Sequence, residues 1–400
     1  MNRTGRLKDL RLFLVAGEQS GDGLGAKLMT AIAARHAGSV RYFGVGGAAM
    51  AAQGLTSLFP LSDVAVMGPL SILPRLPRIV ASVYRTVDAA LAAEPDAVVI
   101  VDSPEFTHPI AKRIRARRPG IPIIDYVSPQ LWAWRPWRAR KMTRYIDHVL
   151  ALLPFEPAEY TRLGGPPCTY VGHPLIERFA WFTALDPAPL AARLALRPGR
   201  PVVVVLPGSR SSEVTRLMAP FGAALDLLRA RGHDVEAIVP AVAHVRPLIE
   251  RALVSWRVRP YIVTDEDDKF RAFKLARAAL AASGTVTLEL ALLGTPMVVA
   301  YRVDAIAAPF RFLIKVPSIV LANLVLGETV FPECVQEACE PVRLADALTL
   351  LLGNTPERAR QLAACARIPG RLRLPAGTPS DAAADIVLRY AAGGFQLHKG

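Results

Sequence analysis

The sequence predicts an α/β protein with two Rossmann-like domains that face each other across a cleft. A short apolar strand that runs into a glycine-rich turn and then a helix occurs early in the chain, and a similar pattern begins again at residue 201. A stretch rich in Pro, Ala and Arg lies between the two patterns. We therefore expect a first domain over residues 1–185, a linker over 186–200, a second domain over 201–375, and a final helix in 376–400 that packs back towards the first domain.

The composition indicates large apolar cores and a basic surface. Of the 400 residues, 52% are hydrophobic, the mean hydropathy is +0.29 and the net charge is +14. The longest uncharged run, residues 42–62, is interrupted by glycines and Pro60, so it predicts no transmembrane helix. The apolar part of the N-terminus is only Leu12–Ala16, which argues against a signal peptide and favours a cytoplasmic protein. The positive charge favours an anionic partner: a nucleotide, a nucleic acid or an anionic membrane face.

The four cysteines give no sign of a metal site. Cys168, Cys334, Cys339 and Cys365 lack the paired spacing that metal sites require. We therefore expect reduced, mostly buried thiols and no bound metal.

Acidic side chains follow two predicted strands of the first domain. The strand 11–16 runs into a glycine-rich turn that contains Glu18 and Asp22, and these carboxylates would repel a pyrophosphate. The glycines therefore predict a close approach of substrate to the backbone. The buried strand 97–101 ends at Asp102, where open α/β sheets place catalytic groups. Asp102 is a candidate general base, and its alternative role is to cap the next helix.

Two further segments of the first domain predict contacts with a ligand or a membrane. Three tryptophans lie among arginines: Trp132, Trp134 and Trp137. Such side chains stack on nucleic-acid bases, enclose a sugar and bind its phosphate, or form a core cluster beside a solvated basic helix. The basic residues of the chain are scattered and no nucleic-acid motif occurs, so we expect no nucleic-acid partner. Residues 63–83 contain three prolines, which argue against one regular helix. Their apolar residues, set among arginines, predict either a segment that enters a membrane surface or binds acyl chains, or a core-facing loop before a helix. These apolar residues are Leu70, Ile72, Leu73 and Leu76.

The second domain contains two turns suited to an anion. The strand 201–206 leads to Ser209 and Arg210 and then to a helix, and the turn Ser283-Gly284-Thr285 follows another strand. Turns of this kind present unpaired backbone N–H groups to a phosphate, although a capped helix is the simpler interpretation. Glu289 lies about one helical turn beyond Thr285 and suits a sugar hydroxyl. The acidic run 264–269 predicts a solvated helix start.

Eight segments together resemble the bacterial lipid-A-disaccharide synthases. They are GEQSGDGLGA at Gly17, YFGVGG at Tyr42, VDSPEF at Val101, YVSPQLWAWR at Tyr126, LLPFE at Leu152, VGHPL at Val171, LPGSR at Leu206 and SGTVTLE at Ser283. The resemblance covers roughly residues 11–335 in one order along the chain. Gln19, Pro69, Ser71 and Ala322 depart from the usual pattern of the family, and Pro69 and Ser71 affect the segment expected to bind acyl chains.

The resemblance implies a glycosyltransferase B fold and a metal-independent, inverting reaction. Such an enzyme transfers 2,3-diacylglucosamine from UDP to 2,3-diacylglucosamine 1-phosphate (lipid X), giving the β-1,6-linked disaccharide and UDP. The UDP-sugar is then a substrate, and no cofactor is implied. The expected location is peripheral, on the cytoplasmic face of the inner membrane, and a homodimer remains open. The alternatives are a UDP-N-acetylglucosamine 2-epimerase or another glycosyltransferase of the same fold.

The resemblance also assigns roles to individual residues. Asp102 is the expected base, and Arg210 stabilises the leaving diphosphate. Glu289 binds the ribose. The residues expected to bind the UDP-sugar donor are Ser209, Arg210, Ser283, Gly284, Thr285, Thr287, Glu289 and Asn323. The residues expected on the acceptor side are Glu18, Ser20, Asp22, Trp132, Trp134 and Arg135.

Overall fold

The computed structural model describes residues 9–64, 76–131, 136–302 and 317–393. They form two compact units: an N-terminal unit, Met1–Pro174 with Leu374–Gly400, and a C-terminal unit, Leu175–Arg373. Each unit contains one parallel β-sheet with helices packed against it. The predicted class, two Rossmann-like α/β domains, is confirmed.

In each sheet the first strand of the unit lies inside the sheet, with later strands on both sides of it. The N-terminal sheet has seven strands in the order β3-β2-β1-β4-β5-β6-β7, and the C-terminal sheet has six in the order β10-β9-β8-β11-β12-β13. The strands are β1 (Leu10–Ala16), β2 (Val40–Val45), β3 (Thr56–Ser57), β4 (Ala97–Val101), β5 (Ile123–Tyr126), β6 (His148–Ala151), β7 (Cys168–Tyr170), β8 (Val202–Leu206), β9 (Glu236–Pro240), β10 (Tyr261–Val263), β11 (Ala276–Ala282), β12 (Met297–Tyr301) and β13 (Glu333–Val335). The order reverses between β1 and β4 and between β8 and β11, and a crevice opens at the carboxyl ends of the strands at such a point.

The helices cover both faces of each sheet. The central strands β4 and β8, AVVIV and VVVVL, are buried along their whole length because parallel sheets lie between helical layers. The helices are α1 (Gln19–Arg35), α2 (Ala48–Ala51), α3 (Leu76–Ala93), α4 (Pro104–Arg117), α5 (Trp137–Met142), α6 (Glu156–Arg162), α7 (Phe179–Ala184), α8 (Ala188–Arg193), α9 (Ser211–Ala230), α10 (Arg246–Leu253), α11 (Glu266–Leu275), α12 (Val286–Leu292), α13 (Leu321–Leu326), α14 (Pro341–Leu352), α15 (Pro356–Leu372) and α16 (Pro379–Ala391). No helix in the described ranges combines the length and the apolarity needed to cross a bilayer.

The boundary between the units lies earlier than the sequence predicts. Residues 186–200 contain α8 and belong to the C-terminal unit instead of forming a separate linker. The reason is a set of polar contacts that the composition does not reveal. The Nε of Arg197 donates to the buried Glu236 over 2.7 Å, and the Nζ of Lys274 donates to the carbonyl of Thr183 over 2.9 Å.

The helix α16 completes the N-terminal unit. It packs against α1, where Arg35 forms ion pairs with Asp381 at 2.7 Å and with Asp385 at 2.9 Å. The hydroxyl of Tyr390 in the same helix lies 3.1 Å from Nδ1 of His148 in β6. The last helix is therefore attached to both a neighbouring helix and the sheet.

A regular helix begins inside the proline-containing segment of the first domain. The prolines of residues 63–83 argue against one regular helix, but α3 runs without a break from Leu76. Pro77 lies in its first turn, where a helix leaves its N–H groups unbonded and proline is tolerated. Leu70, Ile72 and Leu73 lie outside the described residues.

Candidate active site

The loops after β1 and β4 meet at the switch point of the N-terminal sheet. The Oγ of Ser20, at the start of α1, donates to Oδ2 of Asp102 over 3.0 Å. Glu18 and Ser20 are exposed here, and Asp102 is half-buried. Two of the predicted acceptor-side and catalytic residues, Ser20 and Asp102, are therefore in direct contact.

Asp102 is held in an uncommon backbone conformation. Its φ is +57°, and that of Ser103 is +47°, so two consecutive residues with side chains lie in the left-handed region. This conformation costs about 1–3 kcal/mol at each residue and occurs preferentially at functional sites. The Oδ1 of Asp102 accepts from the N–H of Ser103 over 2.7 Å, and its own N–H donates to the carbonyl of Tyr126 over 2.9 Å. Ser103, and not Asp102, is the N-cap residue of α4, which removes the alternative role of Asp102.

Two glycines allow the loops to approach each other. A Cβ at Gly21 would lie 3.0 Å from the carbonyl oxygen of Val101, and a Cβ at Gly17 would lie 2.4 Å from Cβ of Ser103. From the sequence, the glycines of this turn are expected to allow close approach of a substrate. At these two positions the structure shows instead that the close approach is between the two loops.

Asp22 stabilises the fold of the turn and is removed from solvent. It is 4% exposed, and its carboxylate accepts hydrogen bonds from the N–H groups of Gly47, Ala49 and Met50 at 2.7, 2.9 and 3.0 Å. These contacts hold the N-terminus of α2, so Asp22, predicted on the acceptor side, is used to stabilise the fold. Trp132, Trp134 and Arg135 lie outside the described residues.

A buried polar cluster lies behind the Asp102 loop and was missed by the sequence analysis. Asp125 in β5 is 1% exposed and pairs with Nε2 of His108 at 3.1 Å, while Nδ1 of His108 lies 3.1 Å from the hydroxyl of Tyr145. Burial raises the pKa of Asp125, and the contact with His108 opposes that shift. The cluster attaches α4, and with it the loop that contains Asp102, to the sheet.

The loops after the neighbouring strands β8 and β9 meet at the carboxyl edge of the C-terminal sheet. The Nε2 of His244, which follows β9, lies 2.8 Å from the carbonyl oxygen of Ser209. Arg210 follows, and its N–H and Nη1 donate to the buried Glu213 at 3.2 and 2.9 Å. Gly208 has a φ of +110°, and a Cβ there would lie 2.3 Å from Oε2 of Glu213. The loop thus needs glycine at this position, and it presents Arg210, whose side chain is 68% exposed, beside the N-terminus of the long helix α9.

The turn after β11 is held by internal hydrogen bonds. The Oγ of Ser283 donates to the carbonyl of Ile319 over 2.6 Å, and the buried Thr287 donates to the carbonyl of Gly284 over 2.9 Å. Thr285 is the N-cap residue of α12, and its side chain makes no capping hydrogen bond. Thr287, predicted to bind the donor, therefore shapes the turn and is not exposed to a ligand, because its hydroxyl points into the protein.

Asn323 is likewise a structural residue. It is 2% exposed, and its amide donates to the carbonyl of Phe331 at 2.9 Å and to Glu333 at 3.0 Å. Its oxygen accepts from the N–H groups of Val330 and Phe331 at 2.9 and 3.0 Å. An asparagine amide has two donors and two lone pairs, so these four bonds occupy the side chain fully. Asn323, predicted to bind the donor, holds the segment that contacts Ser283 in place.

Glu289 pairs with a lysine that the sequence analysis did not select. The Nζ of Lys269 lies 3.2 Å from Oε1 and 3.1 Å from Oε2 of Glu289. Lys269 ends the run 264–269, which was predicted to be a solvated helix start. The helix start is present, with Asp265 as its N-cap residue, but Asp268 is buried and paired with Arg193 and Arg271.

The four cysteines are free thiols, and three of them are buried.

Several solved structures share this fold. A UDP-GlcNAc 2-epimerase from Neisseria meningitidis, bound to UDP-GlcNAc, matches with a TM-score of 0.64 and 13% identity over 96% of this chain and 100% of that chain. MurG of Acinetobacter baumannii matches with a TM-score of 0.53 and 13% identity over 95% and 99% of the two chains. At these identities the likeness shows the fold alone, which is of the glycosyltransferase B type.

Sequence relatives give the family. The family model for lipid-A-disaccharide synthetase matches residues 12–386. A lipid-A-disaccharide synthase of Rhodopseudomonas palustris is 54% identical over 94% of this chain and 95% of its own length. One of Bradyrhizobium diazoefficiens is 50% identical over 96% and 97%, and one of Paramagnetospirillum magneticum is 40% identical over 97% and 100%. With the motifs, the fold and these full-length matches in agreement, this chain belongs to the lipid-A-disaccharide synthase family.

Proposed function

We propose that this protein transfers 2,3-diacylglucosamine from UDP to the 6-hydroxyl of lipid X, forming the β-1,6-linked disaccharide and releasing UDP. The family match supports the reaction class. The observation that supports the mechanism best is the carboxylate of Asp102, which Ser20 and the backbone of Ser103 hold at the switch point of the N-terminal sheet.

Asp102 is the general base of this proposal. A sugar hydroxyl is a weak nucleophile, and a positioned carboxylate that takes its proton accelerates attack by about 10²–10⁴-fold. The acceptor oxygen forms a bond to the anomeric carbon while the bond from that carbon to the diphosphate breaks. The bonding electrons leave with UDP, and attack from the opposite face inverts the anomeric configuration.

The leaving diphosphate is stabilised by the C-terminal unit. Charge grows on UDP as the bond breaks, and preorganised donors at that position contribute about 3 kcal/mol each. Arg210, the N-terminus of α9 and the backbone N–H groups near Ser283–Thr285 are the donors in this proposal. Glu289 then accepts hydrogen bonds from the ribose hydroxyls.

Mass spectrometry of the reaction products tests the proposal. Incubation with UDP-2,3-diacylglucosamine and lipid X is expected to yield the disaccharide 1-phosphate in an amount equal to the UDP released. A UDP-N-acetylglucosamine 2-epimerase would instead convert UDP-N-acetylglucosamine without any acceptor, so that substrate alone is the control. A new UDP-sugar in the control, with no disaccharide in the complete mixture, would contradict the proposal.

The helix α3 is the proposed membrane-facing surface. Leu76, Val80 and Tyr84 are 47%, 44% and 44% exposed, and they lie among Arg78 and Arg85 on one amphipathic helix. Apolar and basic side chains on such a helix suit the surface of an anionic bilayer. The variant Val80→Asp is expected to bind anionic phospholipid vesicles less than the wild type. Val254→Asp, at a 73% exposed position of the C-terminal unit, is the control and keeps wild-type binding. Equal vesicle binding by wild type and Val80→Asp would exclude this surface.

A further inference from the structure

The pair of Lys269 and Glu289 joins two helices beside the anion-binding turn. Lys269 lies in α11 and Glu289 lies in α12, one helical turn beyond Thr285. The ammonium is nearly equidistant from the two carboxylate oxygens, at 3.2 and 3.1 Å. The side chains are 26% and 14% exposed, so the pair is screened less than a surface ion pair.

An aromatic cluster also contacts the ammonium of Lys269. The Nζ of Lys269 lies 4.2 Å from the ring centroid of Phe270 and 6.0 Å from that of Phe273. Phe270 is fully buried and stacks on Phe182 at 4.4 Å. A cation over a buried ring gains electrostatic attraction and loses mobility. Lys269 is therefore held between a rigid aromatic surface and the carboxylate of Glu289.

The acidic neighbours of Lys269 are paired with arginines. Glu266 contacts Arg178 at 2.8 Å, and the buried Asp268 contacts Arg271 at 3.1 Å and also Arg193. The helix thus directs its carboxylates to arginines and its lysine to Glu289. Lys269 follows four consecutive acidic residues in the sequence, yet its ammonium pairs with Glu289 in another helix.

We infer that Lys269 is a positioning residue that holds Glu289 in the orientation that selects ribose in the nucleotide donor. The inference rests on the proposed function, in which Glu289 accepts the ribose hydroxyls. An unrestrained glutamate loses side-chain entropy when a ligand orders it, and Lys269 orders it beforehand. Carboxylate oxygens have about four lone-pair sites, so a lysine contact still leaves sites for hydroxyl groups.

The positive charge of Lys269 has a second effect. Glu289 lies near the turn where the diphosphate of the donor is proposed to bind, and a lone carboxylate would repel that anion. The paired ammonium offsets this repulsion. Removal of Lys269 is therefore expected to weaken the binding of any uridine diphosphate and, in addition, to reduce the preference for ribose.

Calorimetric titration of the full-length protein with UDP and 2′-deoxy-UDP tests the inference. A hydrogen bond to a charged group contributes about 1.5–3 kcal/mol, so the wild type is expected to prefer UDP by about tenfold or more. In Lys269→Met the ratio of the two affinities falls towards one, and Lys269→Arg restores most of it. Lys274→Met is the matched control, because Lys274 lies in the same helix but donates to the backbone carbonyl of Thr183. It keeps the wild-type ratio.

The outcomes separate this inference from the function on which it rests. A wild-type affinity ratio in Lys269→Met, with loss of the ratio in Glu289→Gln, overturns the role of Lys269 and leaves the ribose contact intact. Equal binding of both nucleotides by the wild type overturns the role of Glu289 and the inference with it. Failure of the wild type to bind UDP overturns the proposed function itself. If Lys269→Met does not fold, Lys269→Gln is judged by the same ratio.

Discussion

The hydroxyl of Ser20 donates a 3.0 Å hydrogen bond to Oδ2 of Asp102, a residue 82 positions later in the chain. The contact exists because β1 and β4 are neighbours in a parallel sheet, so the loops at their carboxyl ends share one edge. It orients the carboxylate that we propose as the base. The alignment of this base therefore depends in part on the first turn of α1, a segment distant from Asp102 in the chain.

Ser20→Ala is expected to lower kcat while substrate binding changes little. Loss of one hydrogen bond to a carboxylate costs about 1.5 kcal/mol, which corresponds to about tenfold in rate. Steady-state kinetics with both substrates measures the effect. Ser39→Ala, which removes a hydroxyl bonded to Asp9 at the amino-terminal side of the same sheet, should retain full activity. An unchanged kcat in Ser20→Ala would show that Ser20 does not orient the base.

Asp102→Asn is expected to reduce turnover by about 10²–10⁴-fold and to leave UDP binding intact, because the amide cannot accept the proton. Turnover is measured by product formation and UDP binding by calorimetry. Asp96→Asn is the control: it lies just before the amino end of the same strand, where its carboxylate accepts from the N–H of Arg11 at 2.9 Å. Near-normal turnover by Asp102→Asn would remove Asp102 from the mechanism.

Arg210→Ala is expected to reduce kcat by about 10²–10³-fold through lost stabilisation of the leaving diphosphate. Arg229→Ala is the control. Arg229 lies in the last turn of α9, the helix that begins after Arg210, so this variant removes an equal charge far from Arg210 and should behave as wild type. Kinetic constants for donor and acceptor are measured separately. A change confined to the KM of the acceptor would contradict the assignment of Arg210 to the diphosphate.

Acid is expected to destabilise the N-terminal unit through His148. Burial, with the nearby charge of Arg389, lowers the pKa of His148 to about 4, whereas in the unfolded chain it returns to about 6.5. The unfolded state then binds more protons between these values, so the free energy of unfolding falls as the pH drops from 6.5 towards 4. His173, whose pKa burial also lowers to about 4, acts in the same direction.

Urea unfolding at pH 7 and pH 5 measures this dependence. In His148→Gln the loss of stability between the two pH values is expected to be smaller by about 2 kcal/mol, since 1.5 pH units separate 6.5 from 5. Tyr390→Phe is the control, because it removes the hydroxyl that contacts His148 but leaves the titrating ring. It should be less stable at both pH values with the wild-type difference between them. An equal pH dependence in His148→Gln and wild type would contradict the prediction.

Much of the fold could be predicted because its signals are local. Strands such as Ala97–Val101 are continuous apolar runs, and each is followed by a turn residue and a helix. The restart of this pattern at residue 201 indicates a second domain. The boundary between the units was harder to predict, because residues 186–200 resemble a linker in composition. The side chains of Arg197 and Lys274 nevertheless attach this region to the C-terminal unit.

The candidate site could be predicted only in part. Asp102 directly follows β4, and Arg210 lies in the turn after β8, so the sequence was enough to select both as candidates. Lys269 and His244 were missed because their partners, Glu289 and the carbonyl of Ser209, are 20 and 35 residues away. Lys269 is the last residue of an acidic run at the start of a helix, and the side chains of such a run are usually expected to be solvated.

The sequence by itself determined the class of the fold, the family and the strand ends where chemistry can occur, because hydrophobic periodicity and short motifs are properties of neighbouring residues. Only the tertiary structure decided which polar side chains are exposed and which are buried in support of the loops. Asp22, Thr287 and Asn323 were candidate site residues, yet each is buried and bonded to backbone groups. Those bonded to Asp22 belong to a segment 25 to 28 positions later in the chain. A polar residue is available to a substrate only when the fold does not already use its hydrogen bonds, and that depends on contacts between segments distant in the chain.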